Sequence, residues 1–266
     1  MAARPGRLPL RSGIALAGLA LATIPAALVQ AILIPVWPRG ANWMPPLWHR
    51  IACRILGVRV HVRGTPVSRG PCLFAANHIS WLDIPVLASR LRISFIAKQE
   101  VAGWGVFGML AKLQRTVFVA RQRRHEAGRQ RDLLARRFGA GDALVLFAEG
   151  TSSDGRTVLP FKTALFSVAE QTEKAGVPLP VQPVTIRYTQ IDGRPLRRAD
   201  RPRIAWIGDM ELVPHFLDVL KAGPIHAEIV FHPPLSLAAA GSRKLLARAC
   251  EDLVRQGLHD RGLGSQ

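Results

Sequence analysis

Short apolar runs alternate with longer amphipathic stretches over most of this 266-residue chain. Short apolar or alternating runs are typical of strands, whereas apolar positions spaced three and four apart are typical of helices. The pattern predicts strands at residues 58–63, 72–76, 93–98, 116–120, 143–147, 181–188, 203–207 and 227–231. It predicts helices at residues 48–56, 101–113, 126–138, 162–174, 212–220 and 243–258. This alternation predicts an α/β fold, in which a mostly parallel sheet is covered by helices on both faces.

The longest apolar run, residues 13–36, precedes these elements and has Gln30 as its one strongly polar side chain. As a helix it would be about 36 Å long, against roughly 30 Å for the hydrocarbon core of a bilayer. We therefore expect a transmembrane or membrane-inserted helix at 13–36, after a basic segment at 1–12. Pro25 and Pro35 interrupt the run, which leaves open a shallow interfacial or re-entrant insertion.

A cleaved signal peptide is the alternative for the amino-terminal region, since three arginines precede the apolar run. The run is longer than an ordinary signal core and continues to Val36. Three tryptophans follow it, and tryptophan is enriched at membrane interfaces. We expect residues 37–57 to form an interfacial segment and residues 58–266 to form one large domain.

The formal net charge of +18 predicts an acidic partner surface. Anionic lipid headgroups supply one, and each basic residue near such a membrane contributes about 1 kcal/mol. Nucleic acid is the rival partner. It is disfavoured because no nucleic-acid-binding motif is present and the single tyrosine, Tyr188, leaves few aromatic stacking platforms. The expected partner is a membrane with anionic lipids, and no nucleic acid is expected.

A histidine and a carboxylate lie five positions apart directly after the predicted strand at 72–76. Five helical steps leave two side chains roughly 140° apart, and an odd offset on a strand sends them to opposite faces. The chain must therefore turn between His78 and Asp83, and Pro85 is well placed to begin the next helix. His78 then lies at the carboxyl end of a strand, where open α/β sheets bind ligands. The pair predicts an acid/base dyad; the alternative is that both side chains merely cap the turn.

Two further polar groups are expected at the same edge of the sheet. Arg121 follows the predicted strand at 116–120, and the sequence Glu149-Gly150-Thr151 follows the predicted strand at 143–147. Arg121 and Glu149 together could bind a ligand. Alternatively, they form only a structural ion pair.

Four sequence blocks together resemble the PlsC-type glycerolipid acyltransferases, in that family's order. They are Asn77-His78 through Asp83, Arg121, Glu149-Gly150-Thr151 and Val181-Gln182-Pro183-Val184. The resemblance implies transfer of a fatty acyl group from acyl-ACP or acyl-CoA to a lysolipid hydroxyl, without a cofactor or a metal. It implies His78 as general base, Asp83 as the residue that fixes its tautomer, and no acyl-enzyme.

The same resemblance implies acceptor-binding roles for Asn77, Arg121, Glu149, Gly150 and Thr151. It also implies a bacterial inner membrane location, with the enzyme domain on the cytoplasmic side. The glycines and large apolar side chains of residues 103–108 either border an acyl-chain channel or pack in the core, and core packing is the expectation.

Three positions depart from the family pattern: Ala120, Ala148 and Ser152. Ser152 stands where the family carries an arginine, whose planar fork suits a phosphate monoester. Residues 149–166 look more like the branch that acylates lyso-ornithine lipid than like the branch that acylates 1-acyl-sn-glycerol-3-phosphate. Both acceptors stay open at this point. An acyl-thioester hydrolase and a non-enzymatic lipid-binding or scaffold protein are the alternative functions, although the chain lacks a Gly-x-Ser-x-Gly nucleophile motif.

Overall fold

Helices alternate with strands in the computed structural model, which describes residues 9–119 and 127–260 and omits the side chains of residues 127, 128 and 131. The α-helices are α1 (Leu10–Val36), α2 (Met44–Leu56), α3 (Asp83–Ala88), α4 (Gly105–Leu113), α5 (Ala127–Gly139), α6 (Ser167–Lys174), α7 (Leu212–Lys221), α8 (Leu237–Ala240) and α9 (Arg243–His259). The strands are β1 (Val58–Arg63), β2 (Cys72–Ala76), β3 (Ser94–Lys98), β4 (Val117–Val119), β5 (Ala143–Phe147), β6 (Val181–Ile191), β7 (Arg194–Pro195) and β8 (Ile225–Phe231). Short 3₁₀ turns occupy Gly40–Asn42, Gln99–Gly103, Thr163–Phe166 and Arg198–Arg203.

The strands form one mixed sheet in the order β1-β8-β6-β2-β5-β3-β4, with β7 paired to β6. Its pairings are parallel except for β6 with β8 and β6 with β7. The prediction of a mostly parallel sheet is confirmed. Strand β2 lies between β5 and β6, and Ala76 at its end is in register with Phe147 and Val184. The carboxyl ends of β2 and β5 therefore meet at one edge, which brings the polar segments that follow them together.

Helices cover both faces of the sheet, and the alternation of side chains along β2 shows why. Phe74 packs on the face that α2, α3 and α7 cover, whereas Leu73 and Ala75 pack on the face covered by α5, α6 and α9. All five residues of β2 are buried. A strand with both faces covered reads as a continuous apolar run, and fully burying a side chain such as Phe74 stabilises the fold by about 1.5–3 kcal/mol.

Helix α1 lies along the domain and is hydrogen bonded to it at three points. Ser12 Oγ donates to a main-chain carbonyl of α7 (3.2 Å), and Thr23 Oγ1 accepts from Trp48 Nε1 of α2 (3.1 Å). Gln30 Nε2 donates to the Leu113 carbonyl at the end of α4 (2.9 Å). The opposite side of α1 is exposed and apolar. Its exposed side chains include Leu10, Ile14, Leu21, Leu28, Ile32 and Val36.

The predicted strand at 203–207 is wrong. Residues 198–203 form a 3₁₀ turn instead, and the N–H groups of Ile204 and Ala205 both donate to the carbonyl of Arg201. Ile204 and Ala205 are buried, so the apolar pattern here marks core contact without a strand ladder. The N–H of Trp206 donates to the carbonyl of Ile79, which holds this segment against the turn after β2 (2.9 Å).

Two predicted helices are also divided. The predicted helix at 101–113 is a 3₁₀ turn followed by α4, because Gly105 has a φ of 50° that interrupts helical geometry. The predicted helix at 162–174 begins as a 3₁₀ turn and becomes α-helical at Ser167. The remaining predicted helices and strands match elements of the structure to within a few residues, where their bounds lie among the described residues.

Candidate active site

His78 and Asp83 are in direct contact. His78 Nδ1 lies 2.8 Å from Asp83 Oδ2, and the same oxygen accepts the main-chain N–H groups of Ile79 (2.7 Å) and Ser80 (3.0 Å). These bonds fold residues 78–83 into a tight turn that ends where α3 begins. The carboxylate therefore closes the turn and holds the imidazole at the same time. Capping and pairing, which the sequence presented as alternatives, are two functions of one oxygen.

The other side of the imidazole is available to a ligand. The ring stacks on Phe147 at the end of β5, with 3.9 Å between ring centroids. Its side chain is 16% exposed and lines a cavity, while Asp83 is fully buried. Because Nδ1 faces Asp83, Nε2 is the nitrogen that remains for a substrate. An imidazole oriented by a carboxylate in this way can take a proton from a hydroxyl group.

Asn77 lies directly before this turn and is buried. Its Nδ2 donates to the carbonyl of Ile186 (2.9 Å), and its Oδ1 accepts the N–H of the same residue (2.7 Å). The side chain thus continues the pairing of β2 with β6 by one step beyond the strand. Asn77 braces the turn and does not line the cavity.

Glu149 lies behind the cavity wall. It is fully buried, and Oε1 accepts the N–H of His78 at a long 3.4 Å, while Oε2 has no hydrogen-bond partner among the described residues. Burial raises the pKa of Glu149 from its usual value near 4.5 to about 8, partly offset by the N–H of His78. Its predicted partner Arg121 falls in residues 120–126, outside the described part of the chain. Both proposed roles for that pair stay predictions.

The turn after Glu149 joins the two motifs. Gly150 has a φ of 73°, a left-handed conformation that favours glycine. Ser153 N–H and Oγ both donate to the carbonyl of His78, at 2.8 and 3.2 Å. Gly150 and the exposed Thr151 line the cavity beside His78, as does Ser152, whose hydroxyl donates to the carbonyl of Trp206.

The cavity beside His78 has a volume of about 1590 Å³. Pockets for drug-sized ligands are roughly 300–1,000 Å³, so this one suits a larger molecule. Its lining is mostly apolar and comes mainly from α1, α2, α4, α7 and the loops that precede α4 and α7. The lining residues include Leu16, Leu19, Ile24, Trp48, Trp81, Trp104, Phe107, Leu110, Leu212 and Phe216. An apolar cavity that runs from a histidine to an exposed apolar helix suits a lipid.

Trp104, Val106 and Phe107 line this cavity, so the expectation of core packing is wrong for the large apolar side chains of residues 103–108. Trp104 is 42% exposed and Val106 is 64% exposed, and both line the cavity. The charged side chains among the described lining residues are Lys98 and Glu100, which have opposite signs. The cysteines do not line this cavity. All three are buried, and burial raises the pKa of Cys72 to about 12.

The chain is similar to several known proteins. The model of the family described as "Acyltransferase" matches residues 59–187. The chain is 45% identical over 254 residues to a lyso-ornithine lipid O-acyltransferase of Brucella abortus, which covers 95% of this chain and 94% of the relative. It is 40% identical over 255 residues to a lyso-ornithine lipid O-acyltransferase of Rhizobium meliloti, covering 93% of this chain and 86% of the relative. The chain belongs to the PlsC-type acyltransferase family.

A solved structure shows the same fold for this PlsC-type acyltransferase. The crystal structure of the 1-acyl-sn-glycerophosphate acyltransferase PlsC from Thermotoga maritima superposes with a TM-score of 0.57. The match covers 94% of this chain and 98% of the solved one, at 20% sequence identity. At that identity the likeness concerns the architecture alone.

The site of this acyltransferase also includes residues that no sequence pattern indicated. The ring of Phe147 stacks on the imidazole of His78. The hydroxyl of Tyr188 on β6 donates to Asp83 Oδ1 (2.8 Å). Trp81 lines the cavity, and its Nε1 donates to Nδ1 of the buried His215 (2.9 Å). Tyr188 is 105 positions from Asp83, so no local pattern indicates the contact. Strand pairing of β2 with β6 brings them together.

Proposed function

We propose that this acyltransferase transfers a fatty acyl group from an acyl thioester to a free hydroxyl of lyso-ornithine lipid. The observation that carries the proposal is the imidazole of His78, held by Asp83 at the wall of a large apolar cavity. The names of the Brucella and Rhizobium relatives support the lysolipid acceptor. The donor is acyl-ACP or acyl-CoA, both of which are thioesters.

The reaction needs one proton to move and one bond to be exchanged. His78 Nε2 takes the proton of the acceptor hydroxyl as its oxygen attacks the thioester carbonyl carbon. Asp83 stabilises the imidazolium that forms. When the tetrahedral intermediate collapses, the C–S bond breaks, and the imidazolium returns the proton to the departing thiolate. The products are an ester and a thiol, and no acyl-enzyme is formed.

The charges around the cavity support an ornithine acceptor over a phosphate monoester. Ser152, which replaces the arginine of the family pattern, carries no charge and donates its hydroxyl to the carbonyl of Trp206. Among the described lining residues, the charges of Lys98 and Glu100 cancel. An ornithine headgroup carries one carboxylate and one ammonium, which suits a pair of opposite charges better than a dianionic phosphate does.

We also propose that the enzyme associates with the cytoplasmic face of a bacterial inner membrane through α1, which lies along the bilayer surface. The helix is long and apolar enough to cross a bilayer. Its attachments from Ser12 to Gln30 follow the domain for about 27 Å, at 1.5 Å per residue. A membrane-crossing α1 would therefore draw the domain into the hydrocarbon, whereas insertion of the exposed face alone keeps the domain in water. The charge of +18 adds attraction to anionic lipids.

The test offers the purified full-length protein an acyl-ACP thioester together with lyso-ornithine lipid and lysophosphatidate, in vesicles that contain anionic lipid. Mass analysis then identifies the products. Ornithine lipid as the main new ester supports the proposal. Phosphatidic acid as the main product would support the other acceptor, free fatty acid a hydrolase, and no turnover a lipid-binding protein. Acyl-CoA in place of acyl-ACP compares the two donors.

A histidine variant ties the activity to the site. His78→Ala should abolish ester formation and keep both a cooperative unfolding transition and vesicle binding, because the ring is at the cavity wall and bonds through one side only. The matched control is His61→Ala, which removes an exposed histidine from β1. Equal loss in both variants, or loss of folding in His78→Ala, would contradict the general-base role.

A further inference from the structure

The one tyrosine of the chain is buried against the acidic partner of the dyad. Tyr188 lies on β6 and is 6% exposed, and its hydroxyl is 2.8 Å from Asp83 Oδ1. Burial and the Asp83 carboxylate both raise the pKa of Tyr188 well above its usual value of 10, so the phenol is neutral at working pH. A neutral phenol facing a carboxylate oxygen donates the hydrogen bond. It does not line the cavity.

The two oxygens of Asp83 have separate partners. Oδ2 accepts from His78 Nδ1 and from two main-chain N–H groups of the turn, whereas Oδ1 accepts from Tyr188. The three bonds to Oδ2 come from residues 78–80, within five positions of Asp83. The bond to Oδ1 comes from Tyr188 on β6, and it fixes the rotation of the carboxylate about the Cβ–Cγ bond of Asp83.

We propose that Tyr188 is a positioning residue for acyl transfer, whose hydroxyl holds Asp83 Oδ1 so that Oδ2 stays on His78 Nδ1. This inference rests on the proposed function, in which His78 is the base. Tyr188 does not line the cavity and its hydroxyl bonds to Asp83, so it acts on the imidazole through Asp83. Tyr188 differs from a packing residue because its hydroxyl, rather than its ring, affects the rate of the reaction.

Removing the hydroxyl leaves Oδ1 without a donor in a site that excludes water. A carboxylate with one fewer donor attracts the proton on His78 Nδ1 more strongly, which stabilises the imidazolium. A smaller fraction of His78 can then act as a base at low pH. In a plot of kcat against pH, the acid limb, where kcat rises with pH, therefore moves to higher pH. KM is unaffected because the cavity lining is unchanged.

The first test compares Tyr188→Phe with Thr185→Val in the full-length protein, using the lysolipid acyltransferase assay. Thr185→Val is a matched control because it removes another buried hydroxyl from β6, one that bonds to the Val254 carbonyl and to His232. We expect Tyr188→Phe to lose roughly tenfold to a hundredfold in kcat, with KM within about twofold. Its acid limb should move up by about one pH unit. Thr185→Val should keep the wild-type limb even where its stability falls.

The second test uses the presence of a single tyrosine in the sequence. Growth with 3-fluorotyrosine labels this position alone and makes the phenol a stronger hydrogen-bond donor. The ring is enlarged only by the replacement of one hydrogen with fluorine, so its packing is nearly unchanged. We expect the acid limb to move to lower pH, opposite to Tyr188→Phe. The single ¹⁹F resonance should shift in Asp83→Asn and stay in place in Thr185→Val.

The outcomes separate this inference from the proposed function. A wild-type enzyme that makes ornithine lipid while Tyr188→Phe keeps its kcat and acid limb overturns the positioning role and leaves the proposed function intact. Were Tyr188→Phe unable to fold, an unmoved acid limb in the fluorinated enzyme would overturn it equally. Absence of acyl transfer by the wild type refutes the proposed function, and this inference with it.

Discussion

The substitution Asp83→Asn separates the two functions of this carboxylate. Asparagine has nearly the same shape and keeps one oxygen that can accept from His78 Nδ1 and from the N–H groups of Ile79 and Ser80. Its amide nitrogen then faces Tyr188, whose hydroxyl can rotate to accept the bond. The turn therefore keeps its hydrogen bonds, and what is lost is the negative charge beside the imidazole.

The size of the effect follows from the negative charge of Asp83, which strengthens its hydrogen bond to the imidazole. A hydrogen bond to a charged group contributes about 1.5–3 kcal/mol, and about 1.4 kcal/mol changes a rate tenfold. We therefore expect kcat to fall roughly tenfold to a hundredfold, with stability changed by about 1 kcal/mol. In Asp83→Ala all four donors lose their acceptor. At about 1–3 kcal/mol for each buried orphan, the cost reaches about 4 kcal/mol or more, a large share of a typical total stability of 5–15 kcal/mol.

The assay measures ornithine lipid formation and thermal unfolding on the same three preparations: wild type, Asp83→Asn and Asp83→Ala. The expected pattern is a folded and slow Asn variant beside an unstable Ala variant. Wild-type turnover in Asp83→Asn would refute the view that the charge assists the imidazole. Loss of folding in Asp83→Asn would instead show that the turn depends on the charge itself.

Two further predictions concern the second motif. In wild type the buried Glu149, with its pKa raised to about 8, should lower stability as the pH rises from about 4.5 to 8, because the unfolded chain loses the proton first. Glu149→Gln should remove that decline and be more stable at pH 9 by on the order of 5 kcal/mol, at about 1.4 kcal/mol per pH unit between 4.5 and 8. Glu170→Gln on α6 should not show this gain. A flat wild-type stability curve in thermal unfolding would contradict a protonated Glu149. Ser152→Arg should raise kcat/KM for lysophosphatidate relative to lyso-ornithine lipid by about tenfold, since a guanidinium fork binds a phosphate, while Ser152→Ala should not; an unchanged ratio would count against acceptor selection at this position.

Much of the site can be predicted from the sequence because the chemistry follows the ends of strands. His78 follows β2, Glu149 follows β5, and parallel pairing of these strands places both at one edge. The offset of five positions from His78 to Asp83 fits no regular element, and this irregular spacing is what predicts the turn. The same logic of strand order accounts for the covered sheet, since β2 reads as a continuous apolar run.

Other parts depend on contacts that no local pattern records. The contact of Tyr188 with Asp83 requires the pairing of β2 with β6, which joins segments about a hundred positions apart. Residues 203–207 are predicted to form a strand from their apolar pattern. In the structure Ile204 and Ala205 are buried on irregular backbone, which the N–H of Trp206 attaches to the carbonyl of Ile79. The large apolar side chains of residues 103–108 line a cavity, and periodicity does not distinguish a cavity wall from a core.

The positions of the polar residues in α1 indicate how the helix is oriented, which its mean hydropathy does not. Ser12, Thr23 and Gln30 are separated by eleven and seven positions, which on a helix of 100° per residue bring them back to within about 20° of one another. They therefore share one face, and that face makes the three hydrogen bonds to the domain. In a helix surrounded by lipid, three polar side chains on one face would have no hydrogen-bond partners. The spacing of its few polar groups thus indicates a helix with one face on protein and the other in the membrane, which length and mean hydropathy alone do not distinguish from one that crosses it.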